Sequence, residues 1–184
     1  MNIHRLYYPV QTLGPGRRLG IWMRGCSKRC RGCLSPEMWD AVASCEWPLP
    51  LLLGTVDRIL VSRPVDGVTI SGGEPLQQKT ELYALLHHLQ AGGVEDILLY
   101  TGFTRTELGS ELDQLLRYAT VVLGPYDQRE DDGGALRGSA NQEIVYASPG
   151  MRDRYQPLLD GARTVQAVGG EHEVFMIGIP APRP

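Results

Sequence analysis

The chain has 184 residues, 42% hydrophobic and 21% charged, with a net charge of -3. That is enough chain for one core of ordinary globular composition. The charge calls for no nucleic-acid partner, and no apolar run approaches the roughly 20 residues that span a bilayer.

Residues 3–8 predict a short strand. Thr12-Leu13-Gly14-Pro15-Gly16-Arg17-Arg18 reads as a turn-rich loop. Leu19-Gly20-Ile21-Trp22-Met23 is an apolar strand that delivers Cys26-Ser27-Lys28-Arg29-Cys30-Arg31-Gly32-Cys33, three cysteines spaced C-x3-C-x2-C. Clustered thiolates select zinc, copper(I) or iron–sulfur centres. A structural zinc takes four protein ligands, and ferredoxin cubes take one cysteine per iron. With Cys26, Cys30 and Cys33 alone, a cube keeps one iron open to a substrate or cofactor. The competing reading is a zinc site completed by His4, His87, His88 or His172. The opening residues carry no export-type pattern, and cysteine usage fits a reducing, cytoplasmic compartment.

Ser35-Pro36 starts a helical turn running to Trp39, read as core. Cys45 stands alone and reads as a small buried hydrophobe. Residues 48–63 predict a helix. A strand over 67–71 runs into Gly72-Gly73-Glu74-Pro75. These glycines admit positive φ and close backbone approach, and Glu74 is placed to pair with an ammonium group. The next helix, 76–91, carries Leu82, Leu85, Leu86 and Leu89 on one face and ends at Gly92-Gly93. His87 and His88 read as surface residues on it. A strand and loop over 96–102 suits a parallel strand buried on both faces.

A helix with Leu108, Leu112, Leu115 and Leu116 follows, then a strand over 120–126. Residues 127–136 form an acidic loop expected to be mobile. Arg137, Ser139, Asn141 and Gln142 cluster donors and acceptors suited to a carboxylate or ribose, or to a polar hairpin. Two late strands, 143–147 and 173–179, flank a weakly helical or irregular stretch. The tail 180–184 is proline-rich and expected to be poorly ordered. Strands alternating with helices give an α/β fold with a mainly parallel sheet, one domain over 1–179. Both motifs fall at the C-terminal edge, where such sheets place ligands.

The triple-cysteine loop followed by Gly72-Gly73-Glu74-Pro75 resembles the radical S-adenosylmethionine (SAM) enzymes. The resemblance implies an open partial (β/α) barrel and one 4Fe-4S cluster on Cys26, Cys30 and Cys33. SAM would chelate the open iron, with Ser71, Gly72, Gly73 and Glu74 around its amino group. In that superfamily the reduced cluster cleaves SAM to methionine and a 5′-deoxyadenosyl radical, the protein supplying binding and orientation. Tyr100-Thr101-Gly102 and Arg137-Gly138-Ser139-Ala140-Asn141-Gln142 resemble the small activases that serve anaerobic ribonucleotide reductase. That adds Thr101, Arg137 and Asn141 to the expected SAM contacts. It also implies a glycyl radical enzyme as partner and an electron donor such as flavodoxin or ferredoxin.

Gly32 stands where many radical SAM enzymes carry an aromatic residue and where the short activases often carry a small one. The sequence departs from the activase pattern at three places. Leu13, Ala119 and Leu123 stand where the activases carry aspartates. Two rivals remain: a radical SAM enzyme acting on a small molecule or peptide in a biosynthetic pathway, and a non-enzymatic iron–sulfur or zinc module. The second leaves Gly72-Gly73-Glu74-Pro75 unexplained.

Overall fold

Six strands form the central sheet in the computed structural model, which describes residues 1–169 and 174–180. They are β1 (Ile3–Val10), β2 (Arg18–Met23), β3 (Gly67–Gly72), β4 (Ile97–Thr101), β5 (Thr120–Leu123) and β6 (Glu143–Val145), neighbours in that order. β2 to β5 run parallel, while β1 and β6 close the two edges antiparallel. Helices α1 (Leu49–Ser62), α2 (Lys79–Ala91), α3 (Arg105–Leu108) and α4 (Ser110–Leu115) fill the crossovers. The expected α/β class and mainly parallel sheet are found.

Period-2 alternation sorts the strand residues onto two faces. Leu19, Ile21, Val68, Ile70, Ile97, Leu99, Val121 and Leu123 share one face and one core. Leu82, Leu85, Leu86 and Leu89 of α2 complete it, all fully buried. The predicted leucine stripe is therefore the packing face. Ala119 and Leu123 are buried in the same core, which gives two of the missing aspartates an apolar setting.

The other face is covered by α5 (Pro149–Leu159) and by a hairpin of β7 (Val165–Gly169) and β8 (Val174–Gly178). Tyr155 of α5 packs with Leu98, Val122 and Leu136. Ile177 and Ile179 pack with Val10 and Leu13. The stretch expected to be weakly helical or irregular is thus a helix and a strand. Ser148 caps the helix, its Oγ accepting from the Met151 amide at 3.3 Å, and Pro149 opens it.

Other expectations need correction. The helix expected over 108–116 is two pieces, broken at Gly109, whose φ is +51°. The strand expected over 120–126 stops at Leu123, because Gly124 has φ +111° and proline follows. Ser35 precedes its 3-10 turn, but its side chain makes no capping bond. Cys45 is half-buried rather than buried. The acidic loop is anchored: Asp131 takes two bonds from Arg163, at 3.0 and 2.9 Å, and Ala135 and Leu136 are buried. Residues 181–184 of the expected tail, His172, and Glu173 at the start of the last predicted strand lie outside the described residues.

A polar lock sits at the N-terminal edge of the sheet. Arg18 and Asp96 have fully buried side chains and pair through 2.8 and 3.1 Å bonds. The Arg18 Nε donates to Thr69 Oγ1 at 2.7 Å and Nη2 to the Val68 carbonyl at 2.8 Å. Tyr155 donates to Asp96 Oδ1 at 2.7 Å. Removing one partner of such a pair strands the other charge away from water. Asp96→Ala is expected to lower unfolding free energy by about 3–5 kcal/mol. Urea denaturation of the protein checks this.

Candidate active site

The β2/β3 register pairs Arg18 with Gly67 and ends with Met23 beside Gly72. The two strands therefore finish level, and their following loops lie side by side. Two backbone bonds extend the ladder into those loops. The Gly73 amide donates to the Met23 carbonyl and the Glu74 amide to the Gly25 carbonyl, both at 2.7 Å.

This closeness explains the glycines. A Cβ on Gly72, at φ +106°, would lie 2.4 Å from the Met23 backbone; one on Gly73 would lie 2.4 Å from the Gly25 carbonyl oxygen. The cysteine loop is also held from behind. The Gly25 and Cys26 amides donate to the Met38 and Trp39 carbonyls at 2.9 and 2.7 Å. Arg29 pairs with Asp40, and Gln77 bonds the Ser27 hydroxyl.

One cavity of about 490 Å³ opens at this edge. Cys26, Cys30 and Cys33 line it, and so do Ser71, Gly72, Gly73, Glu74 and Thr101. Burial pushes the Cys30 thiol up, with the neighbouring Cys33 and Cys26 acting in the same direction. Gly32 has φ +77°, and a Cβ there would lie 2.5 Å from the Gln128 amide oxygen. A side chain there would have to displace Gln128 and hold a left-handed backbone.

Glu74 is 1% exposed, and burial raises its pKa against the hydrogen bonds it accepts. Oε1 accepts from the Leu76 amide at 3.0 Å and Thr101 Oγ1 at 2.8 Å; Oε2 accepts from the Gly102 amide at 2.7 Å. An ionised carboxylate offers about four acceptor positions. Three are filled from within the chain, leaving one for a donor in the cavity.

Arg137 and Asn141 do not line the cavity. Arg137 pairs with Asp132 at 2.5 Å, and the Asn141 amide donates to the Pro125 carbonyl at 2.7 Å. Gln142 does line it, bonding the Gly124 carbonyl at 2.9 Å and the Gly138 amide at 2.7 Å. Ser139 is fully buried and accepts from the Asp127 amide. This polar run holds the turn after β5 in place.

Other lining residues carried no local signal. Lys28 bonds Glu107 at 2.6 Å and lies 4.0 Å from the centre of the Phe103 ring. Phe175, Met176, Ile177, Gly178 and Ile179 close the wall. Their apolar run predicts a strand, but nothing near them in sequence tells where that strand docks.

Among the described residues, no three His, Cys, Asp or Glu side chains are grouped as a single-ion site needs. Cys26, Cys30 and Cys33 nonetheless line one cavity, and three thiols suit a cube whose fourth iron stays open. His4 lines the cavity but bonds Arg24, and burial lowers its pKa. His88 bonds Asp57, and neither it nor His87 lines the cavity.

Residues 12–145 match the family of the 4Fe-4S single cluster domain, and the chain belongs to that family. Its relatives are narrower in kind. It is 32% identical to the anaerobic ribonucleoside-triphosphate reductase-activating protein of Vibrio cholerae, over 78% of this chain and 97% of that one. It is 29% identical to the protein of that name from Enterobacteria phage T4, over 82% and 97%. For Escherichia coli K12 the figures are 28%, 78% and 97%.

Gly73→Ala is expected to lower the iron bound per chain after anaerobic reconstitution, although it removes no ligand. The added methyl has to push the Gly25 backbone, and with it the cysteine loop. An iron assay beside a Gly54→Ala control checks this, since nothing lies within 4 Å of that position and its backbone is not in the left-handed region.

Proposed function

We propose that this chain is a radical SAM activase that installs a glycyl radical on an anaerobic ribonucleotide reductase. The carrying observation is the shared cavity: three thiols and one buried carboxylate meet at the C-terminal ends of four parallel strands. Cys26, Cys30 and Cys33 would hold a 4Fe-4S cluster. Ser71, Gly72, Gly73, Glu74 and Thr101 would hold SAM, with the Glu74 carboxylate accepting its ammonium. Cluster and SAM, when bound, supply reductive cleavage chemistry able to take a hydrogen atom from a glycine Cα.

The chain's own residues then have distinct tasks. The glycines let the ligand approach the β3 backbone. Thr101 and the Gly102 amide orient the Glu74 carboxylate, and by donating to it they favour its charged form against the effect of burial. Arg137 and Asn141 act at one remove, by fixing the loop that carries Tyr126 to the cavity. The sheet from β1 to β6 would serve as the open partial barrel, with residues 1–179 as one domain. The electron is supplied by a small carrier such as flavodoxin or ferredoxin, in the cytoplasm.

The decisive test mixes reduced, SAM-loaded protein with an anaerobic ribonucleotide reductase and records an electron paramagnetic resonance spectrum. A glycyl doublet requiring both proteins is expected. Efficient SAM cleavage without a doublet would favour a biosynthetic role. Replacing Cys26, Cys30 and Cys33 together by alanine is expected to abolish cluster binding, and Cys45→Ala to retain it. Losing a charge-assisted hydrogen bond costs on the order of 1.5–3 kcal/mol. Glu74→Ala should therefore weaken SAM binding roughly tenfold or more, measured by equilibrium dialysis.

A further inference from the structure

Residues 149–169 and 174–180 lie beyond the region matched to the family, yet they are built into the site. Arg154 and Tyr155 fasten α5 to Asp96 at 3.2 and 2.7 Å. The hairpin is fastened to β1 and the loop after it. Gln166 accepts from the Gln11 amide at 3.2 Å and donates to the Pro9 carbonyl at 2.9 Å; Thr12 donates to the Ile177 carbonyl at 3.2 Å. Phe175 meets Tyr7 edge-on and lies under the Arg5 guanidinium. The inward face thus has partners along its length.

Among the described residues, the outward face has none. By alternation it carries Val165, Ala167 and Gly169 on β7, facing Gly178, Met176 and Val174 on β8. None is polar. An antiparallel ribbon with one wet face ordinarily alternates apolar-in and polar-out. Here Val174 is 75%, Met176 60% and Val165 44% exposed. The face also runs into the site, because Met176 lines the cavity mouth, as does the exposed Leu34 of the cysteine loop.

We propose that the outward face of the β7/β8 hairpin is the docking surface for the glycine-bearing polypeptide segment of the partner enzyme. This rests on the activase reading. A polypeptide whose glycine enters the cavity must leave it again across the rim, in both chain directions. A rim strip with Met176 at the mouth, and Val174 and Val165 towards the two ends of the hairpin on either side of it, fits such a chain. A small molecule held wholly in the cavity would leave that strip in water, where apolar patches mark contact surfaces.

The test uses reconstituted, SAM-loaded protein carrying V165E/V174E, with V165T/V174T as a milder pair that keeps β-branched side chains. Neither position lines the cavity. Iron content and SAM cleavage by the reduced protein alone are expected to match wild type. The reductase concentration giving half the maximal glycyl doublet is expected to rise about tenfold or more for the glutamate pair, and less for the threonine pair. An unchanged half-saturation with normal iron would overturn the docking surface and leave the activase reading standing. A shift from dimer to monomer by light scattering, with unchanged half-saturation, would assign the face to a second copy and equally overturn it. If wild type gives no doublet and binds no reductase, the activase reading falls and takes this proposal with it.

Discussion

Two hydrogen bonds, from the Gly73 amide to Met23 and from the Glu74 amide to Gly25, join the thiol-bearing loop to the carboxylate-bearing loop. They continue a parallel ladder past the point where both strands end. Their geometry admits no Cβ at Gly72 or Gly73. Glu74 carries the connection one strand further by accepting from Thr101 and Gly102 at the end of β4. Three strand ends are thereby set in one frame, and the thiol loop and the Glu74 carboxylate keep fixed relative positions.

The sheet beneath is apolar in its middle and polar at its far edge. Buried ion pairs of the Arg18 and Asp96 kind contribute little net stability, because desolvation offsets attraction. Their geometry, however, is demanding. Arg18 reaches β3 through Thr69 and Val68 and meets Asp96 just before β4. A one-residue slip of a strand would leave that guanidinium without partners. The lock at one edge therefore fixes register at the other, where the loops must come out level.

What was legible in the sequence was periodic or covalently local. The strand-ending motifs, the leucine stripe of α2 and the cysteine spacing all act within a few residues, so their placement follows from backbone geometry. The partners of Arg137 and Asn141 within the chain were not legible. A cluster of donors looks the same whether its partners are a ligand or the carbonyl of Pro125 and the carboxylate of Asp132. The break at Gly109 was hidden because leucines on both sides keep helical spacing across it. Leu13 made no sense as a loop residue until Ile177 and Ile179 were found against it. That contact joins the two ends of the chain, and no local pattern encodes it.

The closing of the cavity wall by β8 has a consequence for how the protein is made. The bonds that seat the hairpin link residues 9–12 to residues 166–177. A chain emerging from the ribosome can pair β2 with β3 and assemble its thiol loop while those last residues are still in the exit tunnel. In that interval the concave face has neither Tyr155 nor Ile177 against it. The nascent protein thus passes through a stage with its cysteines exposed on an unwalled sheet, open to whatever delivers iron and to whatever oxidises thiols. Emergence of α5 and the hairpin ends that stage, and the time between the two events is set by the rate of translation.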